Sequence, residues 1–157
     1  MKQWEAWSVH LSTILVGGTG LVYAWMRYVL EPVDPYAVVN HPLQPQVQHL
    51  HVLFAPLLVF AAGLIWKNHV WMHWKKGVPS GRKTGLLLLF NLVPMVASGY
   101  LIQTTVTEGW RTTWIVVHCL ASGLWILGHG AHAWVASRRK RERTSRRDDP
   151  VEVPAPS

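Results

Sequence analysis

Four long apolar stretches alternate with polar segments along the chain, and each holds twenty residues or slightly more: about 6–30, 49–71, 84–103 and 112–136. A helix needs about 20 residues to cross ~30 Å of hydrocarbon. None of the four shows the alternation of a strand, and in lipid only helices or closed barrels satisfy the whole backbone. The pattern predicts an all-α integral membrane protein, a four-helix bundle over residues 1–137. We find no internal repeat in it.

The composition supports a membrane protein. Half of the residues are hydrophobic and 15% are charged, whereas an ordinary soluble domain has roughly 25% charged residues. Ten tryptophans suit the two membrane–water interfaces. The single cysteine, Cys119, excludes an intramolecular disulfide, and no CxxCH motif for a covalently attached haem occurs. The N-terminus lacks a small-residue cleavage site, so we predict no removable signal peptide.

The positive charges are unevenly distributed among the polar segments. Arg27 and Arg111 are the only Lys or Arg residues of the two outer loops. The positive clusters follow the second stretch, with Lys75, Lys76, Arg82 and Lys83 (and Lys67 just before them), and the fourth stretch, with Arg138, Arg139, Lys140, Arg141, Arg143, Arg146 and Arg147. Because cytoplasmic loops carry the excess of positive charge, both termini are predicted to be cytoplasmic. The net charge of +7 therefore reflects topology, and we expect no nucleic-acid partner.

Two polar segments are predicted to lack regular structure. The outer loop, residues 31–48, contains four prolines and is expected to be extended or turn-like. Residues 138–157 form a basic cytoplasmic tail, which we predict to be disordered beyond its first helical turns.

Histidines within the apolar stretches are the candidate functional residues. The fourth stretch carries His118, His129 and His132, although ionisable side chains inside a membrane are costly and usually functional. His118 and His132 are fourteen residues apart, which on a helix places them within roughly 40° of one face and ~21 Å apart along the axis. That spacing suits two large cofactors, one near each side of the membrane.

The predicted topology sorts the histidines into two layers. His51 and His118 lie near the outer ends of the second and fourth helices, and His10 and His132 lie near the inner ends of the first and fourth. Axial ligation of haem iron by two histidines requires a neutral imidazole from each of two helices at matching depth. We therefore predict two b-type haems, one on the outer pair and one on the inner pair.

Three further histidines remain alternative ligands. His49 precedes His51 by two residues and points to a largely opposite face. His129 is eleven residues, ~16.5 Å and roughly 20° from His118, so it competes for the inner site. His69 is eighteen residues from His51, five full turns and the same face, where a third ligand or a quinone contact is conceivable.

Other residues are assigned to supporting roles. The third stretch contains no histidine and is predicted to be a packing wall. Hydrogen bonds to the second imidazole nitrogen tune such sites, and the nearby hydroxyl candidates are Ser8, Ser12, Thr13 and Ser122. Glycines leave room either for a haem face or for helix contact: Gly17, Gly18, Gly20, Gly63, Gly123, Gly128 and Gly130.

The chain resembles the four-helix di-haem cytochrome b family. That family includes the membrane subunits of formate dehydrogenases and nickel–iron hydrogenases, and small bacterial quinol-oxidising cytochromes b. The matching segments are WSVHLSTILVGGTG, HLHVLFAPLLVFAAG and VVHCLASGLWILGHGAHAW, which carry His10, His51, His118 and His132. The resemblance covers residues 4–136 and lies in spacing and depth.

The resemblance implies a multi-pass protein of the bacterial inner membrane that transfers electrons between a quinone or quinol and a redox partner. The implied partner is a periplasmic c-type cytochrome or an iron–sulfur or catalytic subunit, for which the lysine-free outer loop is a docking candidate. Two alternatives remain: a histidine-rich membrane protein that binds or transports copper or iron, and a membrane anchor subunit without redox function.

Overall fold

The apolar stretches form helices throughout the part of the chain that the structure describes. The computed structural model describes residues 2–32, 34–75 and 82–148. Its elements in chain order are α1 (Gln3–Tyr28), α2 (Gln44–Ile65), a π-helical segment (Trp66–Trp71), α3 (Met72–Lys75), α4 (Arg82–Thr104) and α5 (Glu108–Asp148). The all-α prediction is confirmed, because no strand occurs in these described ranges.

Four helical spans are long and apolar enough to cross a membrane: Gln3–Tyr28, Gln44–Ile65, Thr84–Thr104 and Glu108–Glu142. Only 11% of the most apolar window of each is buried within the chain. Large apolar side chains such as Leu11, Phe60 and Leu127 are therefore exposed. An apolar surface of this extent is unfavourable in water and suits lipid. The four predicted membrane-spanning segments are confirmed at this level.

The chain divides into two units, Met1–Gly77 and Val78–Ser157. The first unit is a helical hairpin in which α1 packs against α2. Glu5, Val9, Ser12 and Thr13 are buried and form one face of α1, since positions i, i+4, i+7 and i+8 lie on the same side of a helix.

Helix α2 begins at Gln44, five residues before the start predicted from hydropathy. The reason is Pro45, which occupies the first helical turn. There the fixed φ of proline suits the helix, and its missing N–H would have had no intrahelical partner. The prediction that the outer loop extends to residue 48 is therefore wrong for residues 44–48.

The loop between α1 and α2 is attached to the end of α1 through Asn40. Its side-chain amide donates hydrogen bonds to the carbonyls of Arg27, at 3.0 Å, and Leu30, at 2.7 Å. Its backbone N–H donates to Oε1 of Gln44 at 3.2 Å, and Gln44 is buried. The bond to Arg27 satisfies one of the carbonyls that a helix C-terminus leaves without intrahelical partners.

The π-helical segment Trp66–Trp71 contains His69. A π-helix closes i→i+5 hydrogen bonds, and such segments are frequent at functional sites. The argument that His69 shares the face of His51 assumes 3.6 residues per turn throughout. The π-helical segment breaks that assumption, so the eighteen-residue spacing no longer implies a common face.

In the second unit, α4 packs against α5. Ser98 lies against His118, whereas Thr84 lies against His132. Residue numbers on α4 fall as those on α5 rise, so the two helices are antiparallel. Asn91, near the middle of α4, donates from Nδ2 to the carbonyl of Ala121 at 2.8 Å. This bond links the helices and agrees with the packing role expected of a polar side chain between membrane helices.

Helix α5 continues to Asp148, well past the predicted end at residue 136. Residues 138–148 are therefore helical for three turns at the start of the segment predicted to become disordered. Straight-chain charged residues are good helix formers, because they lose little rotamer freedom in a helix. The Arg138 guanidinium also lies 3.9 Å from the ring centroid of Trp134, a cation–π contact at the end of the apolar span.

Candidate functional site

His51 of α2 lies against α1, and three neighbours on α1 surround its imidazole. Nδ1 is 3.0 Å from the carbonyl oxygen of Val16 and 3.4 Å from Oγ1 of Thr19. Gly20 lies beside the ring, because a Cβ atom built there would be 2.9 Å from Cε1 of His51. A side chain at residue 20 would therefore collide with the imidazole.

His118 of α5 has the same kind of surroundings on α4. Its Nδ1 is 2.9 Å from the carbonyl oxygen of Met95 and 3.2 Å from Oγ of Ser98. A Cβ atom built at Gly99 would be 3.2 Å from Cε1 of His118. In both hairpins the facing helix therefore contacts the histidine through three residues with the same spacing: one with the carbonyl at position i, one with the hydroxyl at i+3, and a glycine at i+4.

The contacts define which imidazole nitrogen carries the hydrogen. A carbonyl oxygen only accepts, so Nδ1–H of His51 donates to Val16 and Nδ1–H of His118 donates to Met95. In a neutral imidazole this places the lone pair on Nε2. Histidine ligands of metals are held in this way, with one nitrogen bonded to a protein acceptor and the other carrying the ligating lone pair.

The two hydroxyl groups agree with this assignment. Oγ1 of Thr19 donates to the carbonyl of Leu15 at 2.7 Å, and Oγ of Ser98 donates to Met95 at 3.1 Å. Because each hydroxyl hydrogen points to its own helix backbone, the oxygen presents a lone pair to Nδ1–H. Ser98 is only 1% exposed, so water is excluded from its bond with His118.

His132 has a related contact at the other end of α5. Its Nδ1 is 3.0 Å from Oγ1 of Thr84, and a Cβ atom built at Gly85 would be 3.8 Å from Cε1. Thr84 and Ser98 are fourteen residues apart on α4, as are His118 and His132 on α5. Each of two hydroxyl–glycine pairs on α4 thus contacts one histidine on α5.

The remaining candidate histidines have other surroundings. His129 stacks on Trp125 of its own helix, with ring centroids 6.2 Å apart and planes at 9°. His10 meets the edge of Trp7 at 6.3 Å between ring centroids. His49 is exposed, whereas His51 is half-buried against α1. His69 is half-buried within the π-helical segment.

Several supporting residues differ from those expected. Ser8 and Ser12 donate to backbone carbonyls of their own helix, those of Glu5 and Ser8. The histidine-free helix α4 does more than pack, since it supplies Ser98, Thr84 and the adjacent glycines. A sequence signal for these residues exists: the pairs at 84–85 and 98–99 repeat the fourteen-residue spacing of His118 and His132.

Within residues 2–32, 34–75 and 82–148, no group of three or more His, Cys, Asp or Glu side chains is arranged to hold a metal ion. Axial ligation of haem needs one imidazole on each face of the iron and no such cluster. Cys119 is exposed and free.

Comparison with known proteins returned no match: no family model, no curated protein and no solved structure matches this chain. The functional assignment therefore depends on the residues and their geometry.

Proposed function

We propose that this protein is a di-haem b-type membrane cytochrome that transfers electrons across the membrane between a quinone pool and a redox partner. The observation that carries the proposal is the shared geometry of His51 and His118. Each imidazole lies inside an apolar span and donates from Nδ1 to a carbonyl of the facing helix, which in a neutral ring places the lone pair on Nε2.

The donor set suits haem b. Imidazole nitrogen is an ordinary axial ligand of haem iron, and the absence of CxxCH in the sequence agrees with a non-covalently held group. His51 and His118 are proposed as ligands of one iron and His10 and His132 as ligands of the other, following the depth argument from the sequence. A surface of exposed apolar residues on each hairpin suits both lipid and a porphyrin.

The residues of the chain would hold and orient the redox group. Bound haem supplies a one-electron ferric–ferrous couple. The carbonyls of Val16 and Met95 orient the imidazole planes. In a haem-loaded protein these bonds would strengthen electron donation from the ligating nitrogen, which would favour the oxidised metal. The burial of Ser98 excludes water from its hydrogen bond with His118. The orientation of the His118 imidazole therefore does not depend on solvent.

The proposed setting is the inner membrane of a bacterium, with four helices in one bundle and both termini in the cytoplasm. The support is the positive-inside distribution of lysine and arginine. We propose that the chain acts as a subunit beside a periplasmic c-type cytochrome or an iron–sulfur or catalytic subunit, as its resemblance to the membrane subunits of formate dehydrogenases and nickel–iron hydrogenases implies.

The first test is the absorbance spectrum of the purified full-length protein. We expect a red preparation with a b-type reduced-minus-oxidised spectrum and about two haems per chain by pyridine haemochrome assay. Addition of a short-chain quinol should reduce the haems. A colourless protein that binds copper or iron would contradict the proposal and favour a metal-binding function.

The choice between His132 and His129 has its own test. His132 contacts a hydroxyl of the facing helix, whereas His129 stacks on its own helix, so we expect His132→Ala to remove the inner haem and His129→Ala to retain it. The measurement is haem content with low-temperature electron paramagnetic resonance of the remaining low-spin signal. The reverse result would make His129 the inner ligand.

A further inference from the structure

The two hairpins repeat one local arrangement. In each, a hydroxyl residue followed by glycine on the first helix contacts a histidine on the second: Thr19–Gly20 with His51, and Ser98–Gly99 with His118. Thr84–Gly85 with His132 is a third example, within the second hairpin. The sequence alone shows no repeat, because the shared pattern is only a few residues long.

The arrangement also recurs in the same half of each hairpin. Thr19 lies nine residues before the end of α1, and Ser98 six residues before the end of α4. His51 lies seven residues after the start of α2, and His118 ten residues after the start of α5. Both contacts therefore lie in the half of the hairpin nearest its connecting loop.

Each member of the pair has a separate physical effect. The glycine leaves room for the imidazole, because it has no Cβ. A Cβ atom would lie 2.9 Å from Cε1 of His51 at Gly20, and 3.2 Å from Cε1 of His118 at Gly99. The hydroxyl donates its hydrogen to its own helix and accepts from Nδ1–H, which adds a second acceptor beside the backbone carbonyl. Glycine thus admits the ring, and the hydroxyl with the carbonyl orients it.

We propose that the hydroxyl–glycine pairs Thr19–Gly20 and Ser98–Gly99 are positioning elements that fix the imidazoles of His51 and His118 for ligation through Nε2. The inference rests on the proposed function for the identity of the ligated iron. The orientation of the imidazoles is a property of the protein chain and can be tested separately.

The hydroxyls are tested by Thr19→Val and Ser98→Ala in the full-length haem-containing protein. Both variants keep the glycine and the carbonyl, so we expect haem content to remain near the wild-type level. With one acceptor lost, Nδ1–H is less polarised and the ferric state is favoured less, so the midpoint potential of the affected haem should rise. A tenfold fall in the preference for ferric over ferrous iron corresponds to about 59 mV.

Conservative and unrelated variants control the experiment. Thr19→Ser and Ser98→Thr retain a hydroxyl and should restore the wild-type potential. Thr113→Val removes an exposed hydroxyl that also donates to its own helix, at Gly109, and should leave both potentials unchanged. Unchanged potentials in both Thr19→Val and Ser98→Ala would overturn the positioning role.

A measurement on haem-free protein separates this inference from the proposed function. Nitrogen-15 magnetic resonance of histidine-labelled protein should show the Nδ1–H tautomer at His51 and His118, with the Nδ1 resonance of His51 shifted by Thr19→Val. A wild-type protein that purifies without haem, takes up no added haem and shows these resonances would refute the cytochrome and retain the positioning role. The Nε2–H tautomer at both histidines, or no shift in Thr19→Val, would refute the positioning role itself.

Discussion

Replacement of His118 by alanine is expected to remove one of the two proposed b-type haems. The reason is that His118 would supply a ligating nitrogen to the proposed site. The Ser98 hydroxyl and the Met95 carbonyl contact Nδ1 and orient the ring for that role. Haem content should fall from about two to about one per chain, measured by pyridine haemochrome assay.

The matched control is His49→Ala, which removes an exposed histidine from an apolar span and should retain both haems. Imidazole added to His118→Gly protein gives a second measurement, since the free ring can occupy the vacated space against Gly99 and Ser98. Recovery of the missing haem would show that loss of the ligand, and not unfolding, caused the defect. A His118→Ala protein with two low-spin haems would refute the assignment.

Replacement of Gly20 by alanine is the second change with a large expected effect. The added Cβ would lie 2.9 Å from Cε1 and 3.1 Å from Nδ1 of His51. A Cβ this close requires the ring to move, and both atoms belong to the ring that the Val16 carbonyl orients. We expect haem affinity at the outer site to fall by about 10–100-fold, the usual cost of disturbing an outer-shell partner.

Gly18→Ala is the control for this change, because a Cβ atom built at Gly18 meets nothing within 4 Å. Alanine is favoured over glycine in a helix by up to about 1 kcal/mol, so neither variant should weaken α1 itself. Gly99→Ala, with a closest approach of 3.2 Å, should show a smaller defect, and Gly85→Ala, at 3.8 Å, almost none. Titration of each haem-free variant with haem measures its haem affinity. Equal affinities in the four glycine variants would contradict the steric argument.

Hydropathy predicted four helices long and apolar enough to cross a membrane. It could do so because the length and apolar character that a span needs are properties of one continuous segment of sequence. Each span must present about 20 apolar residues in sequence, and that is visible without tertiary contacts. Helix ends were predicted less well. A proline inside a helix interrupts it, but a proline in the first turn is favourable. Because Pro45 occupies the first turn, α2 begins earlier than a proline-rich loop suggests.

The charged end of α5 is helical where it adjoins the apolar span. Low hydropathy and high charge favour disorder when a segment has no core to join. Residues 138–148 continue an existing helix, so the costly nucleation step has already been made. Arg138 over the ring of Trp134 further supports this continuation.

The candidate site was predicted only for residues with distinctive chemistry. Histidine is conspicuous inside an apolar stretch, so His51, His118 and His132 are recognisable from the sequence. Serine, threonine and glycine are ordinary in membrane helices, and their function depends on what they face. For that reason the sequence offered Ser8 and Ser12 among its hydroxyl candidates, and both donate to their own helix. Thr19 and Ser98 are the hydroxyl residues that contact His51 and His118.

The sequence by itself determined that the chain forms four apolar helices with histidines inside them, because hydropathy and residue chemistry are properties of single positions. Tertiary structure alone decided that Thr19, Gly20, Ser98 and Gly99 meet those histidines. The physical reason is that contact across two helices depends on their rotation and axial register. Those are set by ridges and grooves of many side chains together and not by the period of either helix.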